Sequence, residues 1–119
     1  KILTKVAKPF FSFMEIIHFM KNFRTFNLAV NFYKQTLCQK LPAHLKQQLL
    51  RASSSIALNL AEGAGRQSKK DQRRFFYIAL GSLRESQAIL DLAFTTEHPI
   101  KATADMLGAH LYKLIKSYE

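Results

Sequence analysis

The amino-acid sequence predicts an all-α fold, an antiparallel up-and-down four-helix bundle with an extra N-terminal helical arm. Three observations lead there. Apolar residues recur at steps of three and four along four long stretches. Nowhere does the chain alternate apolar and polar residues as a half-buried strand does, and it has no Asn-Gly or Asp-Gly hairpin turn. Only short breaks, around Pro42, Gly63-Ala64-Gly65 and Pro99, separate the stretches, as consecutive antiparallel helices require.

Residues 1–21 are expected to form the arm and residues 22–119 the bundle domain. The arm is aromatic and basic, is divided by Pro9, and places Phe13, Ile16, Ile17 and Met20 at helical spacing. Because Met20 directly precedes the bundle pattern, the arm reads as an extension upstream of a natural start. Lys1, Lys5 and Lys8 ahead of an apolar run imitate a signal peptide, but Glu15 and His18 interrupt the run and no small-x-small cleavage site follows. Neither secretion nor a membrane span is expected, the run being far shorter than the roughly 20 residues a span needs.

The first bundle helix is expected from Arg24 to Lys40, ended by Pro42, which has no amide for a helix interior. Leu28, Phe32, Gln35 or Thr36, and Gln39 mark one side, and Phe26, Ala29, Val30, Tyr33 and Leu37 another. The second helix, Ala43 to Glu62, has the cleanest period, with Leu45, Leu49, Ala52, Ile56 and Leu60 as its core stripe. Its small residues, Ala52 to Ser55, Ala57 and Ala61, suit close packing within one bundle or a seam between subunits. The Gly63-Ala64-Gly65 stretch is expected to close this helix with a left-handed glycine. Ser68, three residues before Asp71, then resembles a capping box and should start the third helix. That helix continues through Phe75, Ile78, Ala79, Leu83, Ile89 and Leu90 to the break at Thr95–Pro99. A fourth, from about Ala102 to Tyr118, carries Leu107, Leu111, Leu114, Ile115 and Tyr118. Gly81 and Gly108 interrupt helix interiors at about 1 kcal/mol each, which suggests close helix contacts.

Composition bounds the function. The 119 residues are 48% hydrophobic and 22% charged, which suits one folded domain. The 18 Lys and Arg against 8 Asp and Glu give a formal charge of +10, more than solubility requires, so an anionic partner is expected. Cys38 is the sole cysteine, read as a buried small hydrophobe, and a reducing, cytoplasmic setting follows. His18, His44, His98 and His110 fall on separate elements without metal-ligand spacing, and no carboxylate cluster could hold catalytic metal ions. Neither an enzyme, a cofactor nor a metal is expected.

The informative cluster is Arg66-Gln67-Ser68-Lys69-Lys70-Asp71-Gln72-Arg73-Arg74, in which five of nine residues are basic across a turn and a helix start. A helix N-terminus already carries partial positive charge, so these cations add to it and make the region attractive to phosphate. Arg73 and Arg84, eleven residues apart, share a helix face with Tyr77 and Leu80, a positive ridge bearing an aromatic that could stack on a base. With Arg51 they complete a candidate nucleic-acid-binding set of Arg51, Arg66, Lys69, Lys70, Arg73, Arg74 and Arg84. Some of these could instead pair with carboxylates or between subunits. Glu62, nearly in register with Arg51, reads as a structural ion pair or cap.

The stretch from Arg51 to Arg66 fits R-A-x-x-S-I-x-x-N-I-A-E-G-x-G-R with Leu60 for Ile, and Ser68 to Phe75 fits S-x-K-E-x-x-x-F with Asp71 for Glu. Ile78-Ala79-Leu80-Gly81-Ser82 then fits I-A-x-G-S. These motifs resemble those of the four-helix bundle proteins of bacterial 23S rRNA intervening sequences, over Arg24 to Tyr118. Ala57 departs from a frequent proline, and residues 1–21 fall outside the resemblance. That family is similar to the accessory protein of diversity-generating retroelements, a basic homopentamer that binds nucleic acid and a reverse transcriptase. The resemblance implies a homopentamer with a central channel, binding RNA or DNA backbones, or alternatively a protein-interaction adaptor for a nucleic-acid-processing enzyme such as a reverse transcriptase.

Overall fold

The computed structural model describes residues 13–119, with the side chains of residue 19 and of residues from 21 onward. Four helices follow in order: α1 (Phe13–Leu37), α2 (Ala43–Ala64), α3 (Lys69–Ala93) and α4 (Pro99–Lys116). Each packs on its sequence neighbour, and α4 returns onto α1, closing an up-and-down bundle 49 × 20 × 20 Å across. No strand occurs among the described residues.

The helical period decides which residues meet inside. On α2 the stripe Leu49, Ala52, Ile56 and Leu60 is buried, with Leu45 partly so. From α3 come Phe76, Ala79, Leu83, Ile89 and Leu90, and from α4 come Ile100, Ala104, Leu107, Leu111, Leu114 and Ile115. The inward stripe of α1 is Asn22, Thr25, Ala29, Phe32 and Thr36, which takes Phe32 and Thr36 from one expected side and Ala29 from the other and adds Asn22 and Thr25, expected on neither. Two of its polar members are satisfied, Thr25 Oγ1 donating to Lys21 O at 2.8 Å and Thr36 Oγ1 to Tyr33 O at 2.6 Å while lying 3.1 Å from Ser53 Oγ on α2, whereas the buried Asn22 Oδ1 accepts no hydrogen bond among the described residues.

Several helix boundaries differ from expectation. Helix α1 begins at Phe13, well before Arg24, and runs unbroken through residues 21 and 22. Residues 1–12 of the expected arm, and its stripe Phe13, Ile16, Ile17 and Met20 as side chains, lie outside the described residues. At its other end α1 stops at Leu37, because the Lys46 ammonium takes the carbonyls of Leu37 and Gln39. Cys38 therefore sits in the turn, exposed, and not buried as the helical reading required.

The glycine turn also closes differently. No glycine adopts a positive φ, and Gly65 ends α2 at φ −87°, ψ −6°, its N–H directed at Glu62 O and Gly63 O. Gly63 stays helical and serves packing instead: a Cβ there would lie 2.6 Å from Phe76 Cε1 and 3.1 Å from Gln72 O. Gly108 likewise marks a close approach, 3.3 Å from Leu83 Cδ2, whereas Gly81 faces open space. Helix α4 begins at Pro99, earlier than Ala102, since proline is well suited to a first turn and the His98 ring accepts from Ile100 N.

Beside Phe76, Tyr118 packs edge-to-face at 5.1 Å between ring centroids, and burial pushes its phenol up to about 12. The unfolded phenol ionises near 10.0, so above that pH the unfolded chain has released a proton that the native chain keeps until about 12. Stability should therefore fall as pH rises from about 10 to about 12, with a slope approaching ~1.4 kcal/mol per pH unit. Urea unfolding across this range checks it: Tyr118→Phe should lack the added slope.

Candidate nucleic-acid interface

The Ser68 hydroxyl accepts from Asp71 N at 3.1 Å and so starts α3 as expected of an N-cap. The second half of the capping box is not used for capping. Asp71 turns outward between two arginines, its Oδ1 at 3.1 Å from Arg74 Nη2 and its Oδ2 at 3.6 Å from Arg66 Nε. Arg66 also pairs with Glu62 at 3.0 Å across one turn. The two guanidiniums flank Phe75, at 4.7 and 4.5 Å from its ring centroid. A half-buried aromatic is thus covered by two cations that share one carboxylate.

Such partly exposed pairs contribute little stability but do hold side chains in place. Arg66 and Arg74 are positioned by Glu62 and Asp71, and two carboxylates against two guanidiniums leave this part of the cluster near neutral. The excess charge lies next to it. Lys69 and Lys70 are exposed in the first turn of α3 and form no ion pair among the described residues. Arg84, about four turns further on, is likewise exposed and without an ion pair there.

Other members of the expected set are placed differently. Arg51 is not held by Glu62; its guanidinium lies 3.7 Å from Glu85 on α3, an exposed contact. Arg73 turns toward the end of α4, where Nη1 donates to Tyr118 O at 3.0 Å. Tyr77 is half exposed, and its hydroxyl donates to Glu119 Oε1 at 3.3 Å. The ridge from Arg73 to Arg84 therefore ties α3 to the end of α4 over its first half and is open only at Arg84. The structure brings Arg66, Lys69, Lys70 and Arg74 together at the turn and leaves Arg51 and Arg84 further along the bundle.

Many motif residues prove to hold α2 against α3. Asn59 Nδ2 donates to Ser55 O at 2.8 Å and to Ser55 Oγ at 3.0 Å, and Ser55 Oγ lies 2.9 Å from Ser82 Oγ. Gly63 admits Phe76, and Ala52, Ile56 and Ala79 lie in the core. The paired spacing of Ser55 with Asn59, one turn apart, was the available signal for this network.

Sequence reasoning passed over a second basic region. Lys21 and Arg24 on α1 line a groove shared with His110, Tyr112, Lys113 and Lys116 on α4. The residues are far apart in the chain and form no run. Their i, i+3 spacing on two helices was the only trace.

Among the described residues no group of His, Cys, Asp and Glu could hold a metal ion, and no helix is long and apolar enough to cross a membrane. A family model described as 23S rRNA-intervening sequence protein matches residues 19–118. No curated protein and no solved structure matches the chain.

Proposed function

Since the chain belongs to the 23S rRNA-intervening sequence protein family, matched over residues 19–118, we propose that it is a binding protein, not an enzyme, that engages RNA or DNA backbones through the α2–α3 turn as a homo-oligomer. One observation carries the reading. Lys69 and Lys70 stand exposed at the N-terminus of α3 without ion pairs among the described residues, beside the Arg66 and Arg74 guanidiniums held over Phe75. Helix dipole, free ammonium groups and positioned guanidiniums all favour a phosphate there. Arg84 and Arg51 extend the same charge along the bundle. Arg73 contributes field while its guanidinium stays on Tyr118 O. A reducing, cytoplasmic setting accords with the exposed lone thiol of Cys38.

The test is a binding titration at several salt concentrations. Affinity for a 30-nucleotide RNA should fall steeply between roughly 50 and 200 mM salt, as counterion release requires. Lys69→Glu/Lys70→Glu/Arg84→Glu should weaken binding about 10- to 100-fold and flatten the salt dependence, with unfolding unchanged. Affinity indifferent to salt would overturn the reading. A protein partner that stays bound after nuclease treatment would instead support the adaptor role.

Assembly is supported by a different observation. Leu58 is 68% exposed and Ile78 42%, on the outward side of the α2–α3 pair near the Ser55–Ser82 contact. Gly81 is nearby with open space where a Cβ would project, so nothing among the described residues requires a glycine that costs about 1 kcal/mol in a helix. Close approach of a second copy would. Light scattering should give an oligomer, the pentamer being the state the family resemblance implies, and Leu58→Asp should reduce it to monomers without loss of helicity. An unchanged mass for that variant would place the seam elsewhere.

A further inference from the structure

The groove between α1 and α4 has a volume of about 410 Å³ and is lined by Lys21 and Arg24 from one helix and Lys113 and Lys116 from the other. Among the described residues no carboxylate lines it. Lys113 and Lys116 occupy the last turn of α4, where cations complement the helix dipole. That explanation does not reach Lys21 and Arg24, which lie in the body of α1, far from its C-terminus. Glu119 pairs with Lys116 at 3.4 Å and raises its pKa, leaving Lys116 protonated. Lys21, Arg24 and Lys113 form no ion pair among the described residues. Like charges gathered on two facing helix surfaces repel one another, and an anion between them removes that repulsion.

The groove also carries an aromatic surface. Tyr112 lines it, is 57% exposed, and has the Lys116 ammonium 5.7 Å from its ring centroid. His110 Nδ1 donates to Met106 O at 3.0 Å, which leaves Nε2 as the ring nitrogen not engaged there. Cations on both walls with an accessible ring at the side are the elements of a site for unpaired nucleotides, backbone on the cations and a base on the ring.

We propose that the α1–α4 groove is a second nucleic-acid seat, separate from the α2–α3 turn, and that it takes a single-stranded segment with Tyr112 as the stacking surface. The inference rests on the nucleic-acid reading above. Both seats lie at the same end of the bundle, so one strand could run from one to the other.

The experiment measures anisotropy of labelled 30-nucleotide poly(U), poly(dT) and a DNA duplex against salt. Three proteins are compared: the unchanged chain, Lys21→Ala/Arg24→Ala/Lys113→Ala, and Tyr112→Ala, each checked for unaltered thermal unfolding. The triple variant should bind single strands about 10-fold more weakly and lose roughly 2 from the slope of log affinity on log salt, at about 0.7 per phosphate contact. Tyr112→Ala should weaken single-strand binding several-fold and leave the duplex unaffected. If the triple variant keeps the unchanged chain's affinity and slope, the groove proposal falls while the turn reading stands. If the unchanged chain binds none of the three nucleic acids, both fall. Equal losses on duplex and single strands would overturn the single-strand assignment.

Discussion

Phe76→Ala is expected to destabilise the protein by about 3–5 kcal/mol, a large part of what a domain of this size possesses. Phe76 is fully buried where α2, α3 and the end of α4 converge, with Tyr118 edge-on against it and Gly63 beneath its ring. Its loss opens a cavity that helices held on both sides cannot collapse to fill. The melting temperature, followed by circular dichroism, should fall by roughly 10 °C or more. A drop of only a few degrees would mean that the bundle end repacks, contrary to the arrangement described.

Gly63→Ala should be the companion effect, a loss of about 1–3 kcal/mol. Two terms oppose each other. Alanine is the better helix former by about 1 kcal/mol, which alone would stabilise α2. Against that, the new Cβ would stand 2.6 and 3.0 Å from Phe76 ring carbons and 3.1 Å from the Gln72 carbonyl oxygen. The ring is enclosed and the carbonyl belongs to the backbone, so neither yields cheaply and overpacking wins. The two substitutions should be strongly coupled: in a Phe76→Ala background Gly63→Ala should cost little or even stabilise. A double-mutant cycle by urea unfolding measures this directly. An additive result would show that Gly63 is there for its backbone and not for the ring.

The contrast between these residues explains what could be read in advance. The α2 stripe was legible because Leu49, Ala52, Ile56 and Leu60 repeat at helical steps and all fall in the core. Ser68 announced the start of α3 because capping depends on residues three apart. Features set by distant partners were not legible. The end of α1 depends on Lys46 reaching back to Leu37, and Cys38 is exposed for that reason. The left-handed glycine expected at the turn is absent: Gly65 closes α2 at a negative φ, and Gly63 serves packing against Phe76. Pro99 was read as a stop when it is a start, a distinction that rests on the His98 cap.

The candidate site divides in the same way. The run from Arg66 to Arg74 located the basic turn, since adjacent residues must be near one another. Which cations are occupied depends on long-range geometry, as in Arg51 with Glu85 and Arg73 with Tyr118 O. The groove of Lys21, Arg24, Lys113 and Lys116 exists only because α4 returns onto α1.

An even number of antiparallel helices brings the chain back to the side from which it set out. The first turn of α1, the α2–α3 turn and the last turn of α4 therefore share one pole of a molecule 49 Å long. A purification tag fused ahead of α1 or behind α4 would crowd that pole and shield whatever docks there. The opposite pole holds Cys38, the only thiol in the chain and accessible. A dye or surface tether attached to that sulfur leaves the cationic pole facing outward.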